Sequence, residues 1–132
     1  MHVVPLGPGA AGAVTKALRD NGVVCLLCDR DIERTGVEVE FFGERTTLPA
    51  GPAMLGLRSG APILPVGCYF TPRLNGHHAI IRPPVAANRM GGLRDDVARV
   101  TQALAYELEF LIRRAPEQWH LFQPNWPSDP GY

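Results

Sequence analysis

Leu93, Val97, Val100, Leu104, Leu108 and Leu111 follow one another at steps of four, three, four, four and three residues. That spacing puts six apolar side chains on one face of an α-helix of about twenty residues. Asp95 and Asp96 fall in its first turn and Arg113 and Arg114 at its end, both favourable to the helix dipole. Pro116 forbids extension. A stripe this long needs a covering layer, and the preceding chain must supply it from short pieces. Fourteen glycines and thirteen prolines, about a fifth of the 132 residues, predict many turns and short elements.

Those pieces read as a mixture of helix and strand. Gly7-Pro8-Gly9 opens an Ala-rich amphipathic helix with Val14, Ala17 and Leu18 on one face, closed at Asn21-Gly22. Residues 23–28, Val-Val-Cys-Leu-Leu-Cys, do not alternate, so they predict a strand buried on both faces of a sheet covered by helices. Val37, Glu38, Val39, Glu40 and Phe41 alternate cleanly and predict a half-exposed hairpin arm. A helix begins at Pro52 and ends at Gly60. Residues 63–70 are a core run that Pro65 confines to an edge or irregular strand. Leu74-Asn75-Gly76-His77 is a hairpin turn whose second arm is residues 78–81. The aromatic tail around Trp119 and Trp126 is expected to dock on the body. Helix, short turn and buried strand together indicate an α/β class, residues 1–132 forming one domain.

Composition excludes several classes. The apolar fraction of 45% is that of a globular chain, not a disordered one. Thirteen basic residues balance thirteen acidic ones, so there is no global pull on nucleic acid. No apolar run approaches the roughly 20 residues of a membrane helix, and the N-terminus shows no basic leader with an apolar core. Three cysteines are too few for a disulfide framework and indicate a reducing compartment. Cys25, Cys28 and Cys68 all lie in apolar runs and read as buried core thiols. Cys25 and Cys28 have redox-motif spacing but lack the helix start that lowers a thiol pKa. The four histidines do not cluster with other ligands, so no metal is expected. Hydrolase-elbow and P-loop motifs are absent.

Two charged constellations remain. Asp29-Arg30-Asp31 directly follows the expected buried strand, where open α/β sheets place ligands. Its alternative is a solvated loop with a local Asp–Arg pair. Gly43-Glu44-Arg45 puts a carboxylate beside a glycine break, where it could orient a histidine or a substrate hydroxyl; its alternative is a surface turn. Arg45 and Arg58 could hold phosphate, with solvated arginines as the alternative.

Read in order, several segments resemble the bacterial lipid A biosynthesis acyltransferases and their actinobacterial relatives, the phosphatidylinositol mannoside acyltransferases. They are Gly22-Val23-Val24 running into Asp29-Arg30-Asp31, Gly36-Val37-Glu38-Val39 with Phe41-Phe42-Gly43-Glu44, and Leu48-Pro49-Ala50-Gly51-Pro52-Ala53. Gly60-Ala61-Pro62-Ile63-Leu64-Pro65-Val66, Pro116-Glu117-Gln118-Trp119-His120 and Trp126 follow. The resemblance implies a glycerolipid-acyltransferase-like layered fold, helices packed on a mixed sheet. It implies transfer of a fatty acyl group from acyl-CoA to a sugar hydroxyl of a membrane glycolipid, without cofactor or metal, at the inner face of the plasma membrane. Asp29, Asp31 and Glu44 are the carboxylates it offers for the catalytic pocket, and Arg30, Arg45 and Arg58 the candidate substrate contacts.

The family's catalytic pair, a histidine followed five residues later by a carboxylate, has no match. The residues five beyond His2, His77, His78 and His120 are Gly7, Arg82, Pro83 and Asn125. The chain therefore resembles the C-terminal half of the family fold, with the base and the membrane-facing part belonging to the other half. Two expectations follow: an uncovered apolar patch with self-association as a homodimer, and convergence of Asp29, Asp31 and Glu44 on one concavity. A non-catalytic remnant, or a subunit that binds lipid or completes a split enzyme, is the alternative function.

Overall fold

The long helix forms where the apolar stripe places it. In the computed structural model, which describes residues 2–5 and 7–132, it spans Leu93–Ile112 and is the third of three helices. Met1 and Leu6 of the N-terminal stretch read above lie outside the described residues. In chain order the elements are α1 (Ala10–Arg19), β1 (Val37–Phe41), β2 (Glu44–Leu48), α2 (Gly51–Ser59), β3 (Val66–Phe70), β4 (His77–Ile81) and α3 (Leu93–Ile112). A 3-10 turn at Pro116–Gln118 leads into the tail.

The buried face of α3 carries Val97, Val100, Leu104, Leu108 and Leu111, with Thr101 and Ala105 between them. The β1–β2 hairpin covers it with Val39, Phe41 and Leu48, joined by Ala53 of α2 and Val85. Alternation along β1 sends Val39 and Phe41 inward while Glu38 and Glu40 stay exposed. The hairpin turns in two residues, Phe42 at φ +54° and Gly43 at φ +83°. Positive φ at both positions is the turn that matches strand twist. Phe42 adopts it at a cost of roughly 1 kcal/mol. Its amide donates to Glu109 Oε1 at 2.8 Å, and its ring lies within 6.1 Å of Phe41, Trp119 and Trp126.

The second hairpin, β3–β4, pairs Phe70 with His77 across the Asn75-Gly76 turn. It is tied to α3 by the Arg82–Glu107 ion pair and by the Tyr69 hydroxyl, which donates to the Leu111 carbonyl at 2.8 Å. Each hairpin has an edge capped by a glutamine. Gln102 accepts from the Glu40 amide and donates to its carbonyl, both at 2.8 Å. Gln118 does the same for Phe70, at 2.8 and 3.4 Å. Such side-chain pairing satisfies strand groups that would otherwise invite another chain. The helix expected from Pro52 to Gly60 forms with Gly60 as its left-handed cap, and α1 ends where Asn21 turns to φ +60°.

The architecture is a mixture of α and β, as expected, but two expectations are corrected. The sheet is not mixed: among the described residues there are two separate antiparallel hairpins. Residues 23–28 form no strand. They are irregular, with Val23 92% and Leu27 96% exposed. A strand needs a neighbour that offers backbone groups, and residues 23–28 pair with neither hairpin. The thiols follow from this. Cys25 and Cys68 are exposed and only Cys28 is partly buried, although all three are free. Cys68 lies on the outward face of β3 with Val66 and Phe70, opposite Ala79, while Val66 faces Ile81, and this apolar face is also uncovered.

Candidate functional site

The expected site residues lie where the loop after residue 28, the β1–β2 hairpin and the C-terminal tail meet. The tail is pinned along the hairpin by hydrogen bonds. Trp126 Nε1 donates to the Phe41 carbonyl at 2.8 Å, and the Thr46 hydroxyl donates to the Asn125 carbonyl. Asp129 bends the tail by accepting the Asn125 and Trp126 amides at 2.7 and 3.0 Å. Those two amides hold its carboxyl below the usual range.

Each expected carboxylate has a defined partner. Asp29 accepts the Trp119 indole N–H at 2.7 Å. Asp31 Oδ2 accepts the Gly36 amide at 2.6 Å and the Thr47 hydroxyl at 2.8 Å, which closes the loop onto the open end of the hairpin. Glu44 accepts both the amide and the hydroxyl of Ser128, at 2.9 and 2.6 Å. None of the three pairs with an arginine among the described residues.

Their convergence on one concavity is not what forms. Val37 pairs with Leu48 at one end of the hairpin and Phe41 with Glu44 at the other. Asp31 is bonded at the first end and Glu44 stands at the second. Glu44 and Thr47 are three residues apart, roughly 10 Å along the strand and on opposite faces. The expectation failed because it placed all three at the end of a strand over residues 23–28 that does not form. The arginines divide similarly. Arg45 pairs with Glu38 at 3.2 Å on the exposed face of the hairpin. Arg58 is exposed at the end of α2. Arg30 approaches the His120 carbonyl at 3.5 Å.

Arg30 and Asp31 line a cleft of about 320 Å³ between the loop and the tail, with Arg34, Gln123 and Asn125. Among the described residues no group of three or more His, Cys, Asp or Glu is placed to hold a metal. The Cys28 thiol is pushed up to about 11 by burial and then by the charge of Asp29, so it is not a nucleophile near neutral pH. The most tightly held carboxylate lies elsewhere. Asp96, buried at the start of α3, accepts from Arg99, Arg89 and the amides of Met90 and Gly91. These bonds, that of Arg99 foremost, hold its carboxyl far below the usual range despite burial.

Sequence reasoning missed Ser128, Asp129, Asn125 and Arg34. Only the expected docking of the aromatic tail pointed near them.

Comparison with known proteins adds the lineage. The family model for bacterial lipid A biosynthesis acyltransferases matches residues 5–128. The chain is 42% identical over 131 residues to a phosphatidylinositol mannoside acyltransferase of Mycobacterium tuberculosis, covering 97% of this chain and 39% of that protein. It is 39% identical over 131 residues to the protein of the same name from Mycolicibacterium smegmatis, covering 41% of it. The chain thus spans about two fifths of the length of the curated relatives it matches.

Proposed function

Since the chain belongs to the bacterial lipid A biosynthesis acyltransferase family, we propose that it forms the carboxylate-bearing part of an acyl-CoA-dependent glycolipid acyltransferase. The acceptor is a sugar hydroxyl of a phosphatidylinositol mannoside or lipid A type lipid. The observation that carries this reading is the setting of Glu44 inside the matched region: a half-buried carboxylate at a rigid hairpin end, gripped by two donors of Ser128. Two donors fix its orientation, as required of a group that aligns an imidazole or a sugar hydroxyl.

In the proposed reaction a histidine on a segment beyond these residues removes the proton of the acceptor hydroxyl. The oxygen attacks the thioester carbonyl, the tetrahedral intermediate collapses, and the coenzyme A thiolate leaves. The imidazolium returns the proton to the sulfur. Atoms and charges balance without metal, cofactor or acyl-enzyme. The surroundings fit a layered acyltransferase fold: residues 23–28 and the outer face of β3–β4 are apolar and uncovered, and about three fifths of the relative's own length lies outside the matched part and is available to cover them. The occupant proposed for both faces is that remaining chain. The location proposed is peripheral, at the cytoplasmic face of the membrane; no helix among the described residues is long and apolar enough to cross one.

The test is reconstitution. The chain alone should transfer no acyl group from palmitoyl-CoA to a mannolipid. Joined to the remaining segment of a relative it should do so, and Glu44→Gln should lower kcat about a hundredfold or more. Turnover by the chain alone that survives replacement of all four histidines would overturn the mechanism. A dimer of this chain that persists when the remaining segment is supplied would overturn the proposed occupant.

A further inference from the structure

Resting on the reading of Glu44 as the carboxylate of the site, we infer that Glu109 of α3 is a positioning residue for it, acting through the amide of Phe42. Among the described residues, three carboxylates of α3 hold partners elsewhere in the chain or on the helix. Asp96 accepts from Arg89, Arg99 and the amides of Met90 and Gly91. Glu107 pairs with Arg82. Of these three, Glu109 alone reaches the β1–β2 turn, where its Oε1 accepts the Phe42 amide at 2.8 Å across 67 residues.

The turn needs that contact. Phe42 and Gly43 both hold positive φ, +54° and +83°. Gly43 takes that region freely, whereas for a bulky residue such as Phe42 it is an outlier. Asparagine, aspartate or glycine is the usual first residue of such a turn. An ordinary turn with negative φ suits phenylalanine better, but its twist opposes that of the strands and splays the last pair. The last pair here is Phe41 with Glu44. Ladder bonds of a two-residue hairpin join the flanking residues, so the Phe42 N–H is available to an acceptor from another element. A carboxylate aimed at that amide holds the turn in the form that keeps Glu44 in register.

The acceptor is itself fixed. Only 15% of the Glu109 side chain is exposed, and its Oε2 accepts from Arg113 at 3.1 Å. The Arg113 guanidinium in turn lies over the Phe42 ring, 4.8 Å from its centroid. Amide, carboxylate, guanidinium and ring close a cycle on one strained residue, and strain of this kind persists only where its surroundings over-determine it. Glu44 follows Gly43 directly, so it is held from two sides. Ser128 grips its carboxylate from the tail, and Glu109 fixes the backbone that carries it from α3.

The experiment follows the Ser128 amide by NMR in the whole 132-residue chain, because that N–H donates to Glu44. Glu44→Ala marks the position of the released signal, and Glu109→Ala should carry the signal most of the way there. Glu109→Gln keeps an oxygen for the Phe42 amide and loses only the charge facing Arg113, so its signal should stay near the parent's. Glu107→Ala breaks the Arg82 pair without touching the turn and should leave the signal in place, which separates positioning from general loss of stability. In the enzyme reconstituted with the remaining segment of a relative, Glu109→Ala should lower kcat about tenfold or more at unchanged KM, and Glu109→Gln should restore most of it. A folded Glu109→Ala chain whose Ser128 signal matches the parent's overturns the inference. So does equal movement by Glu107→Ala, or a Glu109→Gln variant as impaired as the alanine one. Failure of the reading of Glu44 shows separately, as a Glu44→Gln enzyme with unchanged kcat, whereas failure of the Glu109 linkage shows in the Ser128 signal.

Discussion

Ser128 grips the Glu44 carboxylate with two donors, its amide at 2.9 Å and its hydroxyl at 2.6 Å, across a separation of 84 residues. The contact joins the end of the first hairpin to the far end of the tail, so the orientation of Glu44 depends on tail docking. Ser128→Ala removes the hydroxyl donor and keeps the amide. Because Ser128 is exposed, the expected loss is about 1 kcal/mol in urea unfolding. Glu44→Gln disturbs the same bonds, so the double variant should lose less than the sum of the single losses. Strict additivity would show that the two side chains do not communicate in solution.

The three thiols should react in two classes. Cys25 and Cys68 are exposed and should be modified rapidly by a thiol reagent at neutral pH. Cys28 should lag by at least tenfold, because burial and Asp29 push its thiol up to about 11 while an ordinary thiol titrates near 8.5. A raised thiol pKa favours the neutral native form. Its stability contribution is intact below about pH 8.5 and is lost as pH rises towards 11. Replacing Cys28 with alanine should flatten this alkaline decline. Equal modification rates for all three thiols would contradict the placement of Cys28.

Much of the fold is legible in local pattern, because α3, the Val37–Phe41 arm, the start of α2 at Pro52 and the Asn75-Gly76 turn are fixed by spacing and turn chemistry alone. Residues 23–28 were misread for a physical reason. An apolar run reports a wish for burial, whereas a strand also requires a neighbour that offers backbone groups. The same limit applies to the site. Asp29, Asp31 and Glu44 stand out in the sequence only as charged residues beside apolar runs and turns. Their partners Trp119, Gly36, Thr47 and Ser128 come from as far as 90 residues away, and no local pattern links them. Asp96 shows the converse error. Its position in the first turn of α3 read as a dipole effect, yet it is a buried acceptor for two arginines and two backbone amides.

Acid should unfold the chain partly through Asp96. Its native carboxyl is held well below the usual range, so it binds its proton more weakly folded than unfolded. The stability it contributes is therefore complete above the unfolded value, about 3.9, and is lost as pH falls from there towards the lowered native value. Asp96→Asn removes that dependence and leaves Arg89 and Arg99 without their counter-charge. The variant should be less stable at neutral pH, with a smaller drop between pH 5 and pH 3. A wild-type and a variant curve of the same shape would show that Asp96 carries no such linkage.

Gly36 tests the closure of the loop onto the hairpin. A Cβ built there would lie 2.2 Å from the Leu48 carbonyl oxygen and 2.7 Å from Asp31 Oδ2. The first neighbour is backbone and cannot swing away, so Gly36→Ala must push the entry of β1 off the end of β2. That shift also breaks the 2.6 Å bond from the Gly36 amide to Asp31 and disturbs the Thr47 bond to the same oxygen. Overpacking of this kind costs typically about 1–3 kcal/mol. The midpoint of urea unfolding should fall. Gly51→Ala is the matching control. It lies in α2 with open space around its Cβ, and alanine in a helix is favoured over glycine by up to about 1 kcal/mol, so that variant should be as stable as the parent or more so. If Gly36→Ala unfolds at the parent's midpoint, the close approach of residue 36 to Leu48 is not a feature of the folded chain.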